Sequence, residues 1–187
     1  MDAGACHQTG RTGASSSVQS AGEFIQGLAR QGYQCLTIIR LALVVPTTVL
    51  PDELHQQVTS LRTAVRARRG VFEHALGLIW TASSVGQEGK VIHSLLIYDG
   101  AQVEDDIQRG HDVGHYWVNS VTEGRGRYRN FNQHRQLHGV ASGLGCLRTD
   151  VPSEMGWLSF QLGYGMGPVG WPLTIVGMPH GESPARW

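Results

Sequence analysis

Residues 75–98 read ALGLIWTASSVGQEGKVIHSLLIY, and they indicate the fold class more clearly than any other part of the chain. Two apolar runs, 75–83 and 91–98, are separated by a short polar segment that contains two glycines. Apolar runs of strand length joined in this way are typical of an antiparallel β-hairpin. We therefore predict a pair of adjacent strands near the middle of the chain.

A strand and two helices are predicted around this hairpin. Residues 35–45, CLTIIRLALVV, form an apolar run of strand length that ends at Pro46. Residues 51–69 begin with a proline and two acids and then repeat apolar residues at helical spacing, which predicts an amphipathic helix. A second helix is predicted over 101–121, where Gly110 and Gly114 would allow a close approach, and a further strand follows it.

The predicted order β-α-β-β-α-β is that of the split ferredoxin-like pattern. We therefore predict an α+β protein with an antiparallel sheet covered by helices on one face. A disordered Gly/Ser-rich arm is expected over 1–20, the α+β domain over 21–165 with a short helix at about 23–31, and an irregular Gly/Pro-rich tail over 166–187.

Composition excludes several classes of protein. The 187 residues carry 15 basic and 15 acidic side chains, so neither a histone-like protein nor an acidic DNA mimic is expected. The sequence has no apolar run long enough to span a membrane, and its N-terminus has no secretory signal, which predicts a cytoplasmic protein without membrane contact. Three scattered cysteines predict neither a disulfide framework nor a thiolate zinc site.

Residues 122–132, TEGRGRYRNFN, are the strongest indication of a binding function. Alternate arginines in an extended chain project from one face, and aromatic rings between them can stack on unpaired bases. We predict a nucleic-acid interface in which phosphates contact Arg125, Arg127 and Arg129 and bases stack on Tyr128 and Phe131. The alternative is a solvated loop or an edge strand that arginines protect from aggregation.

Histidines give a weaker indication of a metal site. His111 and His115 are four residues apart, as are His134 and His138, and such pairs on a helix can share a divalent metal. Neither pair has a cysteine or glutamate at a recognisable ligand spacing, and a solvated helix face is the alternative.

Three segments in this order resemble the YagK/YfjJ family of prophage and inovirus-type replication proteins, which are related to the HUH rolling-circle endonucleases. The segments are VIHSLLIYDG at 91–100, GHYW at 114–117 and TEGRGRYRNFN at 122–132, and the resemblance extends over about residues 35–165. It implies a ferredoxin-like fold and a divalent metal, Mg or Mn, held by a His-hydrophobic-His strand motif and an acid. It also implies a tyrosine that attacks the DNA phosphodiester.

The sequence departs from the family pattern at the positions that carry the chemistry. Val91 replaces the first histidine of the motif, so His93 alone remains, and no acid follows Trp80 within four residues. The expected Tyr-x-x-Lys falls on FQLG at 160–163, with Tyr164 next to it but out of register. One histidine does not hold Mg²⁺ or Mn²⁺, and phenylalanine has no hydroxyl to act as a nucleophile.

Three functions therefore stay open. The first is a catalytically degenerate initiator-like domain that binds single-stranded or structured DNA without a cofactor. The second is a module that binds a host protein, such as a phage-encoded inhibitor or regulator. The third is an active single-strand nickase that uses His93 with Mg or Mn and recruits His111, His115 and Tyr164.

Overall fold

A computed structural model describes residues 12–46, 48–85, 89–134, 143–166 and 173–177. The helices in these ranges are α1 (Thr12–Arg30), α2 (Pro51–Ala67), α3 (Asp106–Tyr116) and α4 (Pro152–Phe160). The strands are β1 (Cys35–Val45), β2 (Ala75–Val85), β3 (Gly89–Asp99), β4 (Arg127–Asn130), β5 (Gly145–Arg148) and β6 (Thr174–Gly177). Two π-helical segments, Trp117–Val121 and Gln161–Gly165, extend α3 and α4.

The strands form one antiparallel sheet in the order β4-β1-β3-β2-β6, and β5 pairs with β1 beside β4. The predicted hairpin is confirmed, because β2 pairs with β3 over almost its whole length. The α+β class is also confirmed, and the order β4-β1-β3-β2 is compatible with a ferredoxin-like sheet.

Helices cover both faces of the sheet rather than one. On the first face, α2 and α3 pack through Val58, Leu61 and Val113 against alternate residues of β1 that include Leu41 and Leu43. On the second face, α1 and α4 pack against the side chains of β1 that point the opposite way. The apolar cluster on that second face includes Ile25, Leu28, Leu36, Ile38 and Leu158.

The prediction of a single covered face was therefore wrong. The cause is visible in β1, whose run CLTIIRLALVV lacks the polar alternation of a half-exposed strand. Both sets of its side chains need an apolar partner, and a second helical layer supplies it.

The boundaries of two helices differ from the prediction. α1 begins at Thr12 rather than near residue 23, because the apolar spacing of Val18, Ala21 and Ile25 continues into the Ser/Gly-rich arm. Helix α3 begins at Asp106 rather than 101, because the Asp105 side chain accepts a hydrogen bond from the Gln108 amide and caps the helix.

Part of the predicted tail is a strand. β6 pairs with β2 from Gly77↔Gly177 to Trp80↔Thr174. Residues 1–11 of the predicted arm and residues 167–172 and 178–187 of the predicted tail lie outside the described ranges.

Cys35 and Cys146 form a disulfide across the pairing of β1 with β5. The two residues are separated by 111 positions in the sequence, so their spacing could not reveal the pair. The sequence predicted no disulfide framework and did not identify this single bond, which is a feature more typical of oxidising compartments than of the cytosol. In the described part of the chain, no helix is both long and apolar enough to cross a membrane.

Replacing Cys146 with serine should lower the free energy of unfolding by about 2–4 kcal/mol, because the crosslink restricts the unfolded chain. Urea unfolding of oxidised protein, with and without a thiol reductant, measures the effect. Cys6→Ser is the matched control, since Cys6 takes no part in the pair. Equal unfolding midpoints for oxidised wild type and Cys146→Ser would contradict the prediction.

Candidate nucleic-acid interface

The layer formed by α1 and α4 packs against only part of the second sheet face. The apolar cluster on this face takes in Leu36 and Ile38 of β1 but none of residues 40–45. The remaining part of the face carries polar and basic side chains from four adjacent strands and from the residue that follows β4. We call this part the Arg40 face, and its members are Arg40, Ser83, His93, Arg127, Arg129 and Phe131.

Arg40 and Arg129 both stack on the ring of Phe131. The Cζ atom of Arg40 lies 4.1 Å from the ring centroid, and that of Arg129 lies 5.0 Å from it. The backbone fixes this arrangement, because the Phe131 amide donates a 3.1 Å hydrogen bond to the Arg40 carbonyl. Such cation–π contacts attract each guanidinium group to the face of the Phe131 ring and so stabilise the arrangement.

Arg40 is partly buried and has a neutral partner. Its Nη1 donates to the Oε1 atom of Gln161 at 3.2 Å. Burial lowers the pKa of the Arg40 guanidinium, and the charge of Arg129 lowers it further. The site therefore holds two cations that repel each other in a partly desolvated setting.

Two of the three predicted arginines share this face. Arg127 and Arg129 are exposed, and they lie opposite Val44 and Ala42 of β1. Because residues two apart in a strand project to the same side, both side chains lie on the side of Arg40.

Arg125 does not join them. The chain turns at Gly124, which has a φ of 82°, so the extended segment begins only at Arg127. The Arg125 guanidinium forms an ion pair with Glu53 of α2. The prediction of three arginines on one face is therefore wrong for Arg125.

Tyr128 lies on the opposite side of β4 from Arg127 and Arg129. Its ring packs against Gly114 of α3, and its hydroxyl lies 3.0 Å from Nδ1 of His111 and 3.4 Å from Nε2 of His115. Burial raises the pKa of Tyr128, and the charge of Asp112 raises it further. The ring face against Gly114 is not available to a base, so the predicted stacking role has no geometric support.

His93 contacts a serine rather than a cluster of acids. Its Nε2 lies 3.2 Å from the Ser83 hydroxyl. Burial lowers the pKa of His93, and the charge of Arg40 lowers it further, which favours the neutral form of the ring. Among the described residues, no group of three or more His, Cys, Asp or Glu side chains is arranged to hold a metal.

The other histidines predicted as metal ligands lie in two different places. His111 and His115 both contact the Tyr128 hydroxyl. His134 is exposed, whereas His138 lies outside the described ranges. The metal roles predicted for these residues and for His93 stay predictions.

Sequence reasoning missed two residues of the interface. Arg40 could have been found, because it is the single charged residue in an otherwise apolar strand. Gln161 occupies the second position of the FQLG segment and reaches Arg40, whereas Phe160 is exposed. Tyr164 belongs to the π-helical segment after α4, and its side chain lies outside the described part of the structure.

Comparison of this chain with protein-family models, with curated proteins and with solved structures finds no match. The resemblance of about residues 35–165 to the YagK/YfjJ family therefore stays a prediction.

Proposed function

We propose that this chain is a nucleic-acid-binding protein of a mobile element or phage, a catalytically degenerate domain like those of rolling-circle replication initiators. It binds single-stranded or structured DNA on the Arg40 face. One observation carries the proposal: Arg40 and Arg129 lie beside Phe131, Arg127 projects from the same sheet face, and among the described residues none of the three forms an ion pair with a carboxylate.

The chemistry of these residues matches a nucleic-acid backbone. Phosphates attract guanidinium groups, and neutralising them releases bound counterions, which favours binding at low salt. A sheet face with exposed arginines and an aromatic ring suits an unpaired strand better than a duplex, since single strands expose bases that can stack on such groups. The Arg40 face therefore supports a proposal of single-strand binding.

The residues present favour binding without strand cleavage. At the place where the resembled family carries its nucleophile, this chain has Phe160, and the neighbouring Gln161 hydrogen-bonds Arg40. Neither side chain has a hydroxyl that could attack a phosphodiester. His93 already shares a contact with Ser83. We therefore assign the Arg40 face to recognition, with an HUH-like ancestry as part of the proposal.

Arg127→Gln should weaken binding of a fluorescent oligothymidine and reduce the slope of log Kd against log salt by about 0.7, because one phosphate contact is lost. Fluorescence anisotropy across a salt series measures both quantities. The matched control is Arg66→Gln, since Arg66 is an exposed arginine on α2, the helix that covers the other sheet face. An equal change in both variants would contradict the assignment of DNA binding to the Arg40 face.

The same titration tests the main alternative. Absence of binding at low salt would remove the nucleic-acid proposal and favour a protein partner. In that case the co-purification of a specific host protein becomes the deciding measurement.

Arg125→Gln should change the salt slope less than Arg127→Gln does, because Glu53 already neutralises the Arg125 side chain. Equal losses in the two arginine variants would show that the ion pair with Glu53 does not hold in solution.

A further inference from the structure

Arg40 is unusual for a partly buried arginine. It is the single charged residue of β1, and its Nε is buried without a hydrogen-bond partner in the described part of the chain. Arginine side chains are rarely buried unless a carboxylate or a similar anion pairs with them. Among the residues that the structure describes, the side chain that accepts from its guanidinium is the neutral amide of Gln161.

The surrounding sequence offers no anion either. Between Glu123 and Asp150 the chain contains no acidic residue, and this stretch includes β4, Phe131 and β5. Strand β1 contains none as well. The neighbours of Arg40 along both strands therefore leave its charge uncompensated.

A second cation lies at the same place. Arg40 and Arg129 contact one ring, that of Phe131, and the main chain around Arg40 is fixed by the Asn132 side chain, whose Oδ1 accepts from the Arg40 amide at 2.9 Å. Two cations held this close repel each other unless an anion lies between them. A ligand with two negative charges would attract both guanidinium groups and so offset that repulsion.

We propose that Arg40 and Arg129 form a binding site for a phosphate dianion, the terminal phosphomonoester of a nucleic-acid strand, beside Phe131. A phosphomonoester carries close to two charges at neutral pH, whereas each phosphodiester of the backbone carries one, so the pair of guanidiniums matches the strand end better. Partial burial strengthens this discrimination, because charges interact more strongly where water is excluded. The identity of the ligand as a strand end depends on the proposed function, whereas recognition of a phosphate dianion does not.

The test compares three oligothymidines of one length: unphosphorylated, 5′-phosphorylated and 3′-phosphorylated. Wild-type protein should bind one of the phosphorylated strands about tenfold more tightly than the unphosphorylated strand, which corresponds to one additional hydrogen-bonded charge pair. The preference should decrease below about pH 6, where the phosphomonoester dianion takes up one proton and becomes a monoanion. Inorganic phosphate, measured by calorimetry, is the arm that reports on the free ion.

The variants distinguish binding of the terminal phosphate from the general electrostatic attraction of the strand. Arg40→Gln and Arg129→Gln should each remove the preference for the phosphorylated strand, whereas Arg127→Gln should weaken all three strands equally. Since Arg40 is partly buried, the exposed Arg129→Gln and the charge-retaining Arg40→Lys keep the test valid if Arg40→Gln does not fold.

The possible failures are distinguishable. In the first, Arg127→Gln weakens binding, but the phosphorylated strands bind no more tightly than the unphosphorylated strand. This result would overturn the phosphate site and leave the proposed function in place. Phosphate binding that needs Arg40, together with no binding of any oligonucleotide, would overturn the proposed function and the strand end as ligand. A preference that survives both Arg40→Gln and Arg129→Gln would place the terminal phosphate elsewhere and overturn the assignment.

Discussion

Asn132 lies between β4 and β5, the two short strands that pair one after the other with the same edge of β1. Its Oδ1 accepts from the Arg40 amide at 2.9 Å, and its Nδ2 donates to the Ile38 carbonyl at 2.7 Å and to Asp106 of α3 at 2.6 Å. Along β1, a gap separates the residues that pair with β4 from those that pair with β5. The Asn132 side chain supplies hydrogen bonds to the β1 backbone at this gap. Buried backbone groups must be paired, and the Asn132 side chain pairs the Arg40 amide and the Ile38 carbonyl. For this reason β1 remains a central strand at this point.

The geometry of the Arg40 face depends on these hydrogen bonds of Asn132. A strand that slips by one residue moves every side chain to the other face, so the register of β4 decides whether Arg129 or Tyr128 lies beside Arg40. Asn130 adds a second anchor, since its Nδ2 donates to the Ile107 carbonyl of α3 at 2.9 Å. Gly110 makes this contact possible, because a Cβ at that position would lie 2.6 Å from the same amide nitrogen.

The sequence was most informative where local pattern and tertiary packing agree. The hairpin, β1 and α2 follow from apolar spacing, and the close approach expected at Gly110 and Gly114 is made by side chains of β4. The second helical layer was missed because the apolar positions of α1 are spread through a Ser/Gly-rich segment, where helix formation depends on packing rather than on propensity.

The site could be predicted only in part, for a similar reason. Alternation correctly placed Arg127 and Arg129 on one side, and it failed at Arg125 because a turn at Gly124 interrupts the extended chain. Arg40 and Gln161 are 121 residues apart, so their contact exists only after the sheet and α4 have assembled. No spacing rule reaches across such a distance.

The zero net charge of the chain conceals a division of charge between the two sides of β4. Tyr128 lies on the α3 side, where the charge of Asp112 raises its pKa and where Asp106 is bound by Asn132. Arg127 and Arg129 lie on the other side with Arg40. Around β4, these guanidinium groups and the carboxylates of α3 therefore lie on opposite sides of the strand, which favours the approach of a polyanion from the side of the Arg40 face.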